Sequence, residues 1–181
     1  ISIHISFRQA IEWGNYRWSP IAQGETSSLR DEEDFMYHES DEFEEKSDID
    51  EVETEIRAQI ARFKSFGVEP SHLDNHMGSL YGIESGRFEL LNLTLDIAGE
   101  ENLPFRFPGT FVPEMFDNDT LEVKIDKDLI AMFFGKIVDH ANSLKVAMPD
   151  FLIPGEWNGP QDESYENFKE YIYELYRSFP D

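Results

Sequence analysis

Hydrophobic and polar positions alternate strictly over the first seven residues, with Ile1, Ile3, Ile5 and Phe7 against Ser2, His4 and Ser6. That period of two, rich in β-branched residues, predicts a strand. Its polar face would turn toward a ligand inside a barrel, or toward solvent on a sheet edge. Residues 8–47 then lose all sustained periodicity and read as one long loop. From 47 to 66 the period changes to that of a helix, through Ile49, Val52, Ile56, Ile60 and Phe63. Ser47 is its natural N-cap, Asp48, Asp50 and Glu51 suit the positive end of the dipole, and Gly67 offers a left-handed stop.

The same reading continues to the end. Residues 68–73 predict a short strand, and 84–98 a helix through Phe88, Leu91, Leu95 and Ala98 with Gly99 as its stop. A strand follows at 103–107, then a helix over 126–144 through Leu129, Ile130, Phe133, Ile137 and Ala141. A strand at 146–152 and a helix at 164–179, through Tyr165, Phe168, Ile172, Leu175 and Phe179, complete the chain. Such alternation predicts an α/β fold with parallel strands and helical crossovers, either a layer or a βα barrel. About four βα units are present, roughly half of a closed barrel. Ligands in these folds bind at the C-terminal ends of strands, where side chains from different strands converge.

Composition narrows the functions. With 181 residues the chain suits a single domain, 1–181, with 8–47 as a loop or insertion within it. A formal net charge of −23 repels phosphate backbones and argues against nucleic-acid partners. No apolar run is long enough to span a membrane. The absence of cysteine leaves His, Asp and Glu as the available metal ligands. Both ends look cut from something longer, the first residue lying inside a strand and the last just past a helix.

Chemistry concentrates between residues 70 and 81, where His72, Asp74 and His76 fall within five residues. His72 and His76 share a face in either a strand or a helix, and Asp74 joins them only in a strand. Two imidazoles and a carboxylate suit a divalent cation, with the carboxylate as ligand, orienter or base. Ordinary hydrogen bonding at the end of an element is the plainer reading of each histidine taken alone. His4 becomes relevant if its strand neighbours this cluster. Upstream, Trp13, Tyr16, Arg17 and Trp18 form the mixture that stacks on sugar rings, or a self-packed surface loop. The acidic stretch from 30 to 45 reads as a solvated, partly mobile loop, and its length suggests a lid.

The stretch Ser71-His72-Leu73-Asp74-Asn75-His76-Met77-Gly78-Ser79-Leu80-Tyr81 resembles the T-H-L-D-S-H signature of the YdjC-like (ChbG-type) carbohydrate deacetylases, in the branch that carries H-M-G-T-L. Ile3-His4-Ile5-Ser6 is similar to that family's G-V-H-L-T strand, and Tyr16-Arg17-Trp18-Ser19-Pro20 to its Y-R-W-x-P segment. The likeness covers about the first ninety residues closely and the remainder through its strand–helix order. It implies an incomplete (β/α) barrel, NodB-like and TIM-like. It also implies a metal-dependent hydrolase that removes acetyl groups from N-acetylated, chitooligosaccharide-like sugars. By position, His4 and His76 would be the metal ligands, for Mg²⁺ first and Zn²⁺ as the alternative. Catalytic support would come from His72 and Asp74, holding ligand tautomers or contacting substrate. Arg17 and Trp18 would lie beside the sugar. A small carbohydrate is the implied partner, a homo-oligomer is left open, and the expected location is cytoplasmic.

The chain departs from the family at two points. The family's Asp-Asp pair, one ligand and one general base, occurs nowhere here, and a late-strand histidine is missing, His38 and His140 being in the wrong contexts. The expectation is therefore the central portion of such an enzyme, weakly active or inactive alone. A non-catalytic sugar-binding module and a metal-dependent phosphoesterase are the competing classes, the latter disfavoured by the acidic surface and the lack of a Gly-rich phosphate loop.

Overall fold

The computed structural model describes residues 2–3, 17–83, 85–110, 127–152 and 164–177. Its elements are β1 (Ser2–Ile3), α1 (Ser40–Lys46), α2 (Ile49–Ser65), β2 (Asp74–Asn75), α3 (Glu89–Glu100), α4 (Lys127–Ser143) and α5 (Tyr165–Arg177), with 3₁₀ turns at Ser27–Leu29 and His76–Gly78. None of the helices described is long and apolar enough to cross a membrane.

The apolar stripes form helices close to where they were expected. α2 buries Val52, Ile56 and Ile60, α3 buries Leu90, Leu91, Leu95, Ile97 and Ala98, and α4 buries Phe134, Ile137 and Ala141. The side chains of Leu129 and Ile130 lie outside the described set. α3 packs between α2 and α4, and all three close over Leu73 and Phe105.

The caps differ from expectation. Asp48, not Ser47, caps α2, accepting from the backbone N–H groups of Asp50 and Glu51. Ser47 is buried, and its carbonyl accepts from Arg87 Nη1 at 2.8 Å. Gly67 does terminate α2 in the left-handed region, at φ +76°. Gly99, by contrast, does not stop α3. Asn102 reverses the chain at φ 54°, with Leu103 N–H bonding Ala98 O at 2.8 Å. Gly99 serves close approach instead, because a Cβ there would sit 3.1 Å from Leu144 Cβ.

The strands are shorter than the alternation suggested. β1 and β2 pair in parallel, with Ser2 opposite Asp74 and Ile3 opposite Asn75. Residues 4–7 of the predicted first strand lie outside those described. The second strand falls at 73–75 rather than 68–73, since Pro70 has no N–H to offer a ladder and Leu73 is the first residue to bridge. Leu73 bridges Phe105 in parallel, and Phe105 N–H donates to Ala147 O at 2.9 Å. Gly109 and Thr110 N–H groups then reach Pro149 O and Asp150 O at 2.7 and 2.9 Å. Prolines 104, 108 and 149 interrupt what would be two further ladders. Four segments thus lie side by side in chain order. The expected incomplete barrel reduces, among the described residues, to one two-stranded parallel sheet with single bridges beyond it.

Two other expectations fail. α5 has no buried residue, and Tyr165 and Phe168, expected inward, are 75% and 57% exposed; Phe179 lies outside the described residues. The acidic stretch from 30 to 45, expected as a solvated loop, is anchored in the fold: Met36, Tyr37, Phe43 and Glu44 are buried, while Glu32, Glu33, Asp34, Glu42 and Glu45 stay exposed. Carboxylates fasten it and the residues before it. Glu55 of α2, fully buried, accepts from Ile21 N–H at 3.0 Å, Ala22 N–H at 2.8 Å and Gln59 Nε2 at 2.8 Å. One turn earlier, Glu51 accepts from Ser28 N–H and Oγ at 2.8 and 2.7 Å. From the segment itself, buried Glu44 accepts from Ser85 N–H at 2.8 Å. Acidic composition concealed a set of internal staples.

Candidate functional site at the strand ends

β2 delivers the cluster. Leu73 points into the core and is fully buried, so alternation turns Asp74 to the opposite face and Asn75 inward again, where it is 1% exposed. The chain then tightens into the 3₁₀ turn His76–Gly78, ended by Gly78 at φ +75°. Asp74 accepts from Arg106 Nε in an ion pair; Arg106 reaches it from the neighbouring 105–107 segment, whose register is held by Arg106 N–H to Leu73 O at 3.1 Å. Tyr81 braces the same segment, donating its hydroxyl to Arg106 O at 2.7 Å and meeting Phe107 edge-on at 5.2 Å.

Electrostatics follow from this packing. Burial holds the His76 imidazole below its usual pKa, opposed by Asp74 and reinforced by the Arg106 guanidinium. The neutral ring, the form that binds metal, is thus favoured by burial. Burial likewise pushes the Tyr81 phenol up to about 12, so it acts as a hydroxyl donor only. The pairing with Asp74 is the main cause that raises the Arg106 guanidinium above its ordinary value.

The structure brings Asp74 and His76 together with Arg106 and Tyr81. His72 is exposed, with its Nδ1 2.9 Å from Ser71 Oγ. His4 lies outside the described residues. Arg17 is ion-paired to Asp31 and Glu33 and lies 4.3 Å over the Phe35 ring, which ties it to that acidic stretch. Trp18 packs on Met36, whose N–H donates to Trp18 O at 3.0 Å. Among the described residues, no three His, Asp or Glu side chains come together as a metal group. The donors present fit one corner of a coordination sphere through His76, and Asp74 is already engaged by Arg106; a full set is not found among them.

Scanning the whole chain against family models matches the YdjC-like protein model over residues 2–179. The chain belongs to the YdjC-like family. This YdjC-like chain is 26% identical over 115 residues to a carbohydrate deacetylase of Clostridium beijerinckii, covering 64% of the chain and 42% of that protein. It is 29% identical over 123 residues to a carbohydrate deacetylase of Enterococcus faecalis, covering 66% and 44%. Among solved structures, a candidate cellobiose-phosphate cleavage protein of Enterococcus faecalis superposes with a TM-score of 0.56 at 25% identity, over 87% of this chain and 49% of that one. The YdjC-like chain thus shares an α/β fold with that protein, and spans less than half the length of the curated relatives it matches.

Sequence reasoning missed Arg106, Tyr81 and Asn75. The signal for Arg106 was available: one cation between Phe105 and Phe107, in a short apolar run flanked by prolines. Asn75 stands where the family signature has serine, and its buried Nδ2 makes no hydrogen bond among the described residues. An unsatisfied buried donor costs about 1–3 kcal/mol. Asn75→Ser is therefore expected to raise stability by about 1 kcal/mol after the lost packing is subtracted, read as a later urea midpoint. An earlier midpoint would show that the carboxamide is satisfied in solution.

Proposed function

We propose that this chain carries part of the active site of a metal-dependent carbohydrate deacetylase, on an incomplete (β/α) barrel, acting on N-acetylated, chitooligosaccharide-like sugars. One observation carries the reading. Ile3 stands opposite Asn75 in parallel register, and the next residue on each segment is a histidine, His4 and His76. The names of the curated relatives, both carbohydrate deacetylases, support the substrate class.

In the reaction a water oxygen bonds to the acetyl carbon, the C–N bond breaks, the sugar amine takes up a proton, and acetate leaves. A divalent cation held by His4 and His76, Mg²⁺ or Zn²⁺, would supply Lewis-acid polarisation of the acetamide oxygen. The neutral His76 ring offers its lone pair to that cation. Asp74, braced by Arg106, keeps a negative charge near the ring, which favours a cation there. His72 is exposed, whereas Arg17 and Trp18, held by Asp31, Glu33 and Met36, would have to leave those contacts to meet a sugar. With no Asp-Asp pair in the sequence to act as base, turnover by the 181-residue chain is slow or nil.

Calorimetry with an N-acetylated chitooligosaccharide tests this reading without needing turnover. The expected result is sugar binding that requires a divalent cation and is lost in His76→Ala. Binding indifferent to both cation and substitution would replace the deacetylase with a non-catalytic sugar-binding module.

A further inference from the structure

Among the described residues, Arg106 is the cation brought to the cluster by a segment other than β2, and its donors are only partly used. Nε is committed to Asp74, while Nη1 and Nη2 make no hydrogen bond or ion pair among the described residues. The side chain is 50% exposed. Its reach is fixed from three sides: Nε by Asp74, its backbone N–H by Leu73 O at 3.1 Å, and its carbonyl by the Tyr81 hydroxyl at 2.7 Å. The guanidinium charge is close enough to act on both His76 and Tyr81. A guanidinium held at Nε, with two further nitrogens uncommitted among the described residues, can match a planar, two-oxygen anion. In a chain of net charge −23, such an edge is a local site for negative charge.

We propose that the Nη1–Nη2 edge of Arg106 is an oxyanion site, stabilising the oxygen that becomes negative when water adds and then the carboxylate of the departing acetate. This rests on the deacetylase reading for the identity of the anion. Asp74 anchors the Nε side and leaves the outer edge to the ligand. The donors are pre-positioned, so little reorganisation is needed as charge develops. The proton balance is unchanged, because a guanidinium stays protonated throughout and only donates hydrogen bonds.

Acetate is itself the probe. Titrating the 181-residue protein with ¹³C-labelled acetate, followed by NMR of the ligand and of the Arg106 Nε–H, is expected to show saturable binding. Arg106→Gln should weaken it by about 10–100-fold, the range of a two-donor charge-assisted contact, and Arg106→Lys, which retains charge but loses the fork, by an intermediate amount. Acetamide, the same shape without charge, should not compete. Circular dichroism checks each fold, and Arg106→Lys keeps a partner for Asp74 should the glutamine variant fail to fold. No saturable binding to the unsubstituted protein, or equal binding in the folded lysine variant, overturns the proposal. Arg106-dependent acetate binding without cation-dependent sugar binding would sink the deacetylase reading and leave a carboxylate site standing.

Discussion

Glu55→Ala lowers the unfolding free energy by about 2–3 kcal/mol, because three donors lose a shared acceptor at once and one of them is enclosed. The carboxylate is fully buried, and Ile21 N–H, Ala22 N–H and Gln59 Nε2 have it as their shared partner. Ala22 N–H is enclosed and bears the desolvation cost in full, whereas Ile21, 44% exposed, has water within reach. Glu55→Gln retains one acceptor oxygen and is expected to lose roughly half as much. Glu51→Ala, at a less enclosed position on the same helix face, should cost about 1 kcal/mol. Urea unfolding followed by circular dichroism reads all three. Near-equal midpoints for Glu55→Ala and the unsubstituted protein would mean that residues 21 and 22 are not fastened to α2 by this carboxylate.

His76→Ala is expected to weaken divalent-cation affinity by at least about 100-fold, more than the 10–100-fold typical of groups that only support a ligand. Asp74→Asn should fall in that lower range, since it perturbs the ring's surroundings without removing a lone pair. Competition against a chelating dye measures both. A His76→Ala value within about threefold of the unsubstituted protein would remove the imidazole from any metal site.

The helices were legible because burial imposes a 3.6-residue period, and Val52, Ile56, Leu91, Leu95, Ile137 and Ala141 follow it into the core. α5 shows the limit of that reasoning: Tyr165 and Phe168 keep the period yet remain exposed, since periodicity marks an apolar face and says nothing about what covers it. Strand positions slipped because apolar content at 68–73 outweighed the missing N–H of Pro70, and the ladder begins where backbone donors resume. The anchoring of residues 17–47 was illegible for another reason. Glu44, Glu51 and Glu55 look like solvated charges in a sequence, and only the folded chain brings backbone N–H groups to them. His72, Asp74 and His76 stood out by their spacing, whereas Arg106 comes from 30 residues beyond His76 and needs the parallel bridge Leu73–Phe105 to arrive. Sequence spacing finds ligands that share a segment. It does not find the partner that an adjacent segment supplies.

The most direct measurement is a long-range ¹H–¹⁵N spectrum of the imidazoles during titration with Zn²⁺, each histidine assigned by substitution. The account predicts that the rings of His4 and His76 change together and are complete at one equivalent, while those of His38 and His140 stay where they were. If the His76 ring responds without that of His4, or neither moves before the acidic surface begins to bind, the two segments do not share a cation.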